Sequence, residues 1–132
     1  MSDVIARDYV AEQLAGLLPA AYRIEKFQRI PDAITGPTAI LKQNRIGRAY
    51  AEGKVIAGAR IAEFILTLAT QYEDVGTAET ELDDTVVTLL NAIDEVRNLR
   101  WTTADKRILS ETTQAPCYDI TLELPYQHNK EA

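Results

Sequence analysis

Apolar residues near the start of the chain recur at helical spacing, with Ala6, Val10, Leu14 and Leu17 at i, i+4, i+8 and i+11. Ser2 and Asp3 can cap the helix this face implies, and Pro19 ends it just after Leu18. Tyr22 to Phe27 alternates weakly and predicts a strand. Pro31, Gly36 and Pro37 then break any regular element before Thr38 to Lys42 opens a second strand.

Between Gln43 and Gly58 neither period holds, and Gly47, Gly53 and Gly58 punctuate the stretch. It carries Arg45, Arg48 and Lys54, so the expectation is a long basic loop over about 43–58, the alternative being an extended hairpin with solvated basic side chains. Structureless loops beyond about 12 residues are uncommon in compact domains unless they are functional. Arg45, Arg48, Tyr50, Lys54 and Arg60 are therefore candidate contacts to another copy, to a partner or to DNA.

Arg60 to Tyr72 has Phe64, Leu66, Leu68 and Tyr72 at even positions and Ile61, Ile65 and Ala69 at odd ones, which predicts a strand covered on both faces. Glu73 to Gly76 turns the chain, and Thr77 can cap a helix from Ala78 to about Asn98. Leu82, Val86, Leu89, Leu90, Ile93 and Val96 form one stripe along it. At ~1.5 to 3 kcal/mol each, burying that stripe contributes roughly 10 to 18 kcal/mol, an upper bound because unfolded chains already hide some surface.

Leu99 to Leu109 predicts a short strand, with Trp101 and Ala104 buried, followed by a polar turn. Pro116 to Leu124 alternates strictly, placing Tyr118, Ile120, Leu122 and Leu124 on one face and Asp119, Thr121 and Glu123 on the other. Pro125 is expected to stop this strand, leaving 127–132 as a polar tail.

These elements define one α+β domain over 1–126, a mainly antiparallel or mixed sheet of four to five strands packed against two helices, in the order α-β-β-β-α-β-β. Its expected core is Leu14, Leu17, Phe64, Leu66, Leu68, Leu82, Val86, Leu89, Leu90, Ile93, Trp101, Tyr118, Ile120 and Leu122. A length of 132 residues suits one domain, and 46% apolar with 26% charged residues is a globular composition. No signal peptide is visible at Met1-Ser2-Asp3, so the product is expected to stay where it is made. The longest nearly apolar stretch, Phe64 to Ala69, falls far below the ~20 residues that span a bilayer, and no membrane association is expected.

Charge changes the picture because it is uneven. The net charge is −6, yet residues 1–60 carry nine Lys/Arg against six Asp/Glu while residues 61–132 carry five against fourteen. Glu79, Glu81, Asp83 and Asp84 crowd the first turns of the second helix and Arg97 and Arg100 stand at its end, complementing the helix dipole. The four acids are mainly a solvated face, with an electrostatic docking surface as the functional alternative.

The inventory offers little for catalysis. Ser2 and Ser110 lack a nucleophile-elbow setting, His128 is the only histidine and lies in the tail, and Cys117 is a lone thiol expected to be buried. Gly53-Lys54 lacks the spacing and the Ser/Thr of a phosphate loop. No catalytic residue, metal site or cofactor is expected.

The order of elements, with the first helix running into Leu17-Leu18-Pro19 and Tyr22-Arg23-Ile24, resembles the tail-terminator family of long-tailed bacteriophages. The helix from Leu82-Asp83-Asp84 through Leu89-Leu90, then Trp101-x-x-Ala104 and Pro116-x-Tyr118-x-Ile120-x-Leu122-x-Leu124, extend the resemblance over nearly the whole chain. It is one of pattern and size. It implies a small structural virion protein, made in the host cytoplasm, that forms a ring, by the resemblance a hexamer, on the finished tail tube. The ring stops tube polymerisation and meets head-tail connector or neck proteins; its partners are other copies, the major tail tube protein and, non-specifically, DNA in the lumen. A head-side neck protein, such as a head-closure or adaptor component, is the alternative, and a small enzyme or ligand-binding domain using the acidic cluster is a third reading from another class.

Overall fold

The computed structural model describes residues 5–25, 36–51, 54–70, 75–108 and 116–127. The elements are α1 (Ala6–Leu17), β1 (Arg23–Glu25), β2 (Thr38–Ala51), β3 (Lys54–Ala69), α2 (Val75–Asp94), β4 (Arg100–Ile108) and β5 (Pro116–Gln127), the α+β order expected from the sequence. The five strands form one mixed sheet in the order β1-β2-β3-β5-β4, with β1 parallel to β2 and the other neighbours antiparallel.

Alternation decides which side of the sheet is covered. Register places Phe64 opposite Leu122 and Leu66 opposite Ile120, and these residues are fully buried. Val10 and Leu14 of α1 and Leu82, Leu89 and Ile93 of α2 join them in one core, so both helices pack on the same face. The opposite face presents Lys42, Glu63, Ile65, Thr121 and Glu123, partly exposed, and no described helix covers it. At one end of that face Ala69 and Cys117, cross-strand partners, are buried together.

Local chemistry explains most element ends. α1 stops because Leu18 precedes Pro19, whose ring disfavours helical backbone in the residue before it, and Leu18 is extended at φ −82° and ψ 153°. Its N-cap is Ile5, without a side-chain cap; Ser2 and Asp3 lie outside the described residues. α2 begins at Val75 and ends at Asp94, four residues short of Asn98, so Thr77 lies inside the helix instead of capping it. β4 is a continuous strand to Ile108, longer than expected, because its residues face solvent along a sheet edge and carry little hydrophobic period. Pro125 does not stop β5. By that point β4 no longer pairs with β5, and a proline is tolerated where a strand has an open edge. Gln127, read as the start of a tail, is the last residue of β5.

Of the expected core, Leu17, Leu90, Trp101 and Tyr118 are half-buried and pack around the rim; the other ten are buried. None of the described helices is long and apolar enough to cross a membrane.

Candidate functional site

The stretch read as a loop over 43–58 is instead the far half of a long hairpin, since β2 and β3 pair from Thr38↔Ala69 to Ala51↔Lys54. Two irregularities hid it. A bulge between Gln43 and Arg45 leaves Asn44 unpaired and inverts the alternation, and a second lies between Arg48 and Tyr50. There Ile56 to Ala59 face only Ala49, and Gly58 takes the left-handed φ of 76° that a glycine tolerates best. Residues 44–48 are also exposed on both faces, so no burial imposes a period on them.

This hairpin projects as an arm. β1 covers only Thr38 to Ile40 of β2, so the stretch of β2 carrying Arg45 and Arg48 runs along an open sheet edge, and β5 pairs with β3 only from Ala59 onward, so the tip carrying Tyr50 and Lys54 has no further described strand on either side. The arginines are not equivalent. The Asn44 bulge places Arg45 opposite Glu63 on the open sheet face, where the Arg45 guanidinium and the Asn44 amide both donate to that carboxylate. Register extends this row across four strands as Arg45, Glu63, Glu123 and Arg100, with Arg100 Nε 3.0 Å from Glu123 Oε1. Two facing carboxylates repel, and each is offset by an outer arginine. Arg48 stands opposite Arg60 on the helix side of the sheet and makes no hydrogen bond or ion pair with a described residue.

The acidic helix divides in two as well. α2 carries no Lys or Arg from Val75 to Asp94. Lys106 of β4 reaches it, with Nζ 3.1 Å from Asp83 Oδ1 and 3.6 Å from Glu79 Oε1, and the Tyr118 hydroxyl donates to Asp83 Oδ1 at 2.7 Å. The Tyr118 bond, followed by that of Lys106, holds the Asp83 carboxyl below 3.8; the same contact with Asp83 raises Lys106 and Tyr118. Glu79 and Asp83 thus clamp the helix to the sheet edge. Glu81 and Asp84, turned about 100° per residue away from them, face outward with no described partner.

A third polar cluster sits on the open sheet face. Asp119 accepts from Thr67 Oγ1 at 2.7 Å and from both Nε and NH2 of Arg107. Burial alone would raise its carboxyl, but the bonds from Arg107 and Thr67 outweigh this and hold it below 3.8. The folded-state pKa lies under the unfolded one, so the stabilisation is complete above about pH 4 and is lost as pH falls through the folded value. Asp119→Asn is expected to cost about 1 to 2 kcal/mol at neutral pH. The gap between thermal melts of variant and wild type should narrow steadily as pH falls below about 4; a gap that stays constant on acidification would assign the loss to packing instead. Next to it, burial pushes the Cys117 thiol up to about 11, which disfavours the thiolate.

The structure therefore separates the residues singled out in the sequence. Arg45 is held by Glu63, Glu79 and Asp83 are held by Lys106, and Arg48, Glu81 and Asp84 remain unpaired among the described residues. Tyr50 and Lys54 are placed by backbone register alone, as Tyr50↔Val55 and Ala51↔Lys54, and Ser2, Ser110 and His128 lie outside the described residues. Lys106, Tyr118, Glu63 and Glu123 as polar partners were missed. The alternation of β5 gave their faces, but only strand order gives their neighbours.

No family model matches the chain, and no curated protein matches it in sequence. Among solved structures, a chain of "Virion of native gene transfer agent (GTA) particle" has a similar fold. The TM-score is 0.50 at 16% identity, with 94% of this chain and 91% of that chain covered. At that identity the likeness is one of fold.

Proposed function

We propose that this protein is a structural component of a phage-like virion, a tail terminator that closes into a ring on the end of the tail tube, ends tube growth and presents a surface for joining the head. The observation that carries this reading is the pair of unlike surfaces, a basic arm and an acidic helix, on one small α+β body. A head-to-tail ring needs two different complementary patches on each subunit, and a closed rotation turns them into a ring instead of a filament. The resemblance in sequence pattern and the fold shared with a chain of a gene transfer agent virion support it from two other directions. The remaining arm cations, Lys54 and Arg60, are the candidates to meet the tube or the DNA that passes through the lumen.

The test is to mix purified protein with uncapped tail tubes and, separately, with DNA-filled heads, and to image both by electron microscopy. Rings on tube ends are the expected result. Binding to heads alone would move the protein to the head side of the neck, and binding to neither would remove it from the head-tail junction.

A further inference from the structure

The end of the sheet furthest from the arm carries two adjoining recesses of about 140 and 170 Å³ that share Pro19, Glu81 and Thr85. Tyr22, Pro37 and Leu82 add apolar walls to the first. Thr70 lines it too; it is 2% exposed, and its Oγ1 has no hydrogen-bond partner among the described residues. A buried hydroxyl without a partner is disfavoured and marks a place where a polar group is missing. The Glu81 carboxylate, without a described partner, lines the same recess, and a group that answers both is a cationic donor on an apolar stem. A guanidinium offers only donors, and its methylenes pack on apolar surface. A cavity of ~150 Å³ holds a benzene-sized group, so a guanidinium fits.

We propose that this recess takes the Arg48 side chain of a second copy of the chain, so that copies join arm to recess. The proposal rests on the ring reading and names its interface. Arg48 is exposed and has no described partner, and Glu81 and Asp84 at the recess are likewise unpaired. Apolar surface matches as well: Ile46, two residues from Arg48 on the same face of the arm, is 42% exposed, and Val87, on the outer side of α2, is 59% exposed. Two strand residues span about 7 Å. Val87 lies about 4.5 Å along the helix from Asp84 and about 9 Å from Glu81. Around the helix Val87 is turned about 60° from Asp84 and about 120° from Glu81, so with Ile46 on Val87 the Arg48 backbone comes up beside Asp84 and its long side chain extends from there towards Glu81.

Only another copy can make this contact. Arg48 pairs with Arg60, ten residues before Thr70 along β3 and the end of the sheet, a separation of about 33 Å. One chain therefore carries the two halves at opposite ends, which makes the contact heterologous and propagating, as a ring requires.

The experiment uses Arg48→Glu and Glu81→Arg, each purified, with mass read by native mass spectrometry and sedimentation, free and on tail tubes. Each variant alone should stay monomeric where wild type assembles. Mixed in equal amounts they should assemble again with alternating subunits, because every junction then joins opposite charges. Arg48→Gln and Glu81→Gln, milder changes at exposed positions, should each weaken association at least tenfold. Variants that assemble alone like wild type, or a mixture that stays monomeric, overturn the pairing while a wild-type ring keeps the functional reading. A wild type that never associates, even on tubes, overturns both.

Discussion

Leu89→Asp is expected to abolish folding, and Leu90→Asp, one residue on, is expected to leave a folded protein of reduced stability. Leu89 is 1% exposed and packs in the core that joins α2 to Phe64 and Leu122. Its replacement removes a buried leucine, at ~2 to 5 kcal/mol, and buries a carboxylate with no partner, which costs several more. Domains of this kind are stable by about 5 to 15 kcal/mol, so the sum reaches the whole stability. Leu90 is turned about 100° around the helix and is half-buried at the rim, where a carboxylate reaches water. Circular dichroism melts decide the matter. A cooperative transition near the wild-type temperature in Leu89→Asp would mean that α2 does not pack through this stripe.

That contrast also marks how far the sequence could be read. The stripe on α2 and the alternation in β5 were legible because each has one covered face and one wet face, and burial writes its period into the residues. Where the covered face runs out, the period runs out with it. In 44–48 both faces are wet and a bulge inverts the register, so a paired strand resembles a loop. β4 shows the same loss at the other side of the sheet, where only Trp101 and Ala104 are even partly buried. The Trp101 indole donates to Asp94 of α2 at 3.0 Å, a contact that fixes the helix-strand connection and that no local pattern encodes.

The charged surfaces were legible as regions but not as individual roles. The opposite charge of the two halves is plain in the composition. Which arginine is free is not, because Arg45 owes its partner to a one-residue bulge and to strand order. The acids of α2 divide for a simpler reason. Their spacing puts Glu79 and Asp83, four apart, on one side of the helix, and Glu81 and Asp84, three apart, on another. Helical geometry alone predicts this division; the cation that selects one side, Lys106, comes from a strand whose position only the fold supplies.

Shortening the arm is expected to separate assembly from folding with the largest functional effect. Gly47 pairs with Ile61, so joining them through Asn-Gly, the favoured two-residue turn, removes 48–60 and closes the hairpin at a natural rung. None of the buried apolar residues among those described falls in the removed segment, and the only rungs lost to β5 are Ala59↔Gln127 and Arg60↔Tyr126. The melting temperature should therefore move by roughly 5 °C or less, the shift that about 1 kcal/mol produces in a domain of this size. The same change deletes Arg48 and the projecting strands, and on the ring reading it should abolish association, leave tail tubes unterminated and lower infectivity by orders of magnitude. Tail lengths and infectious titres in lysates carrying the shortened protein measure this directly. Tubes of normal length and full titre from a shortened, folded protein would show that the arm has no part in assembly.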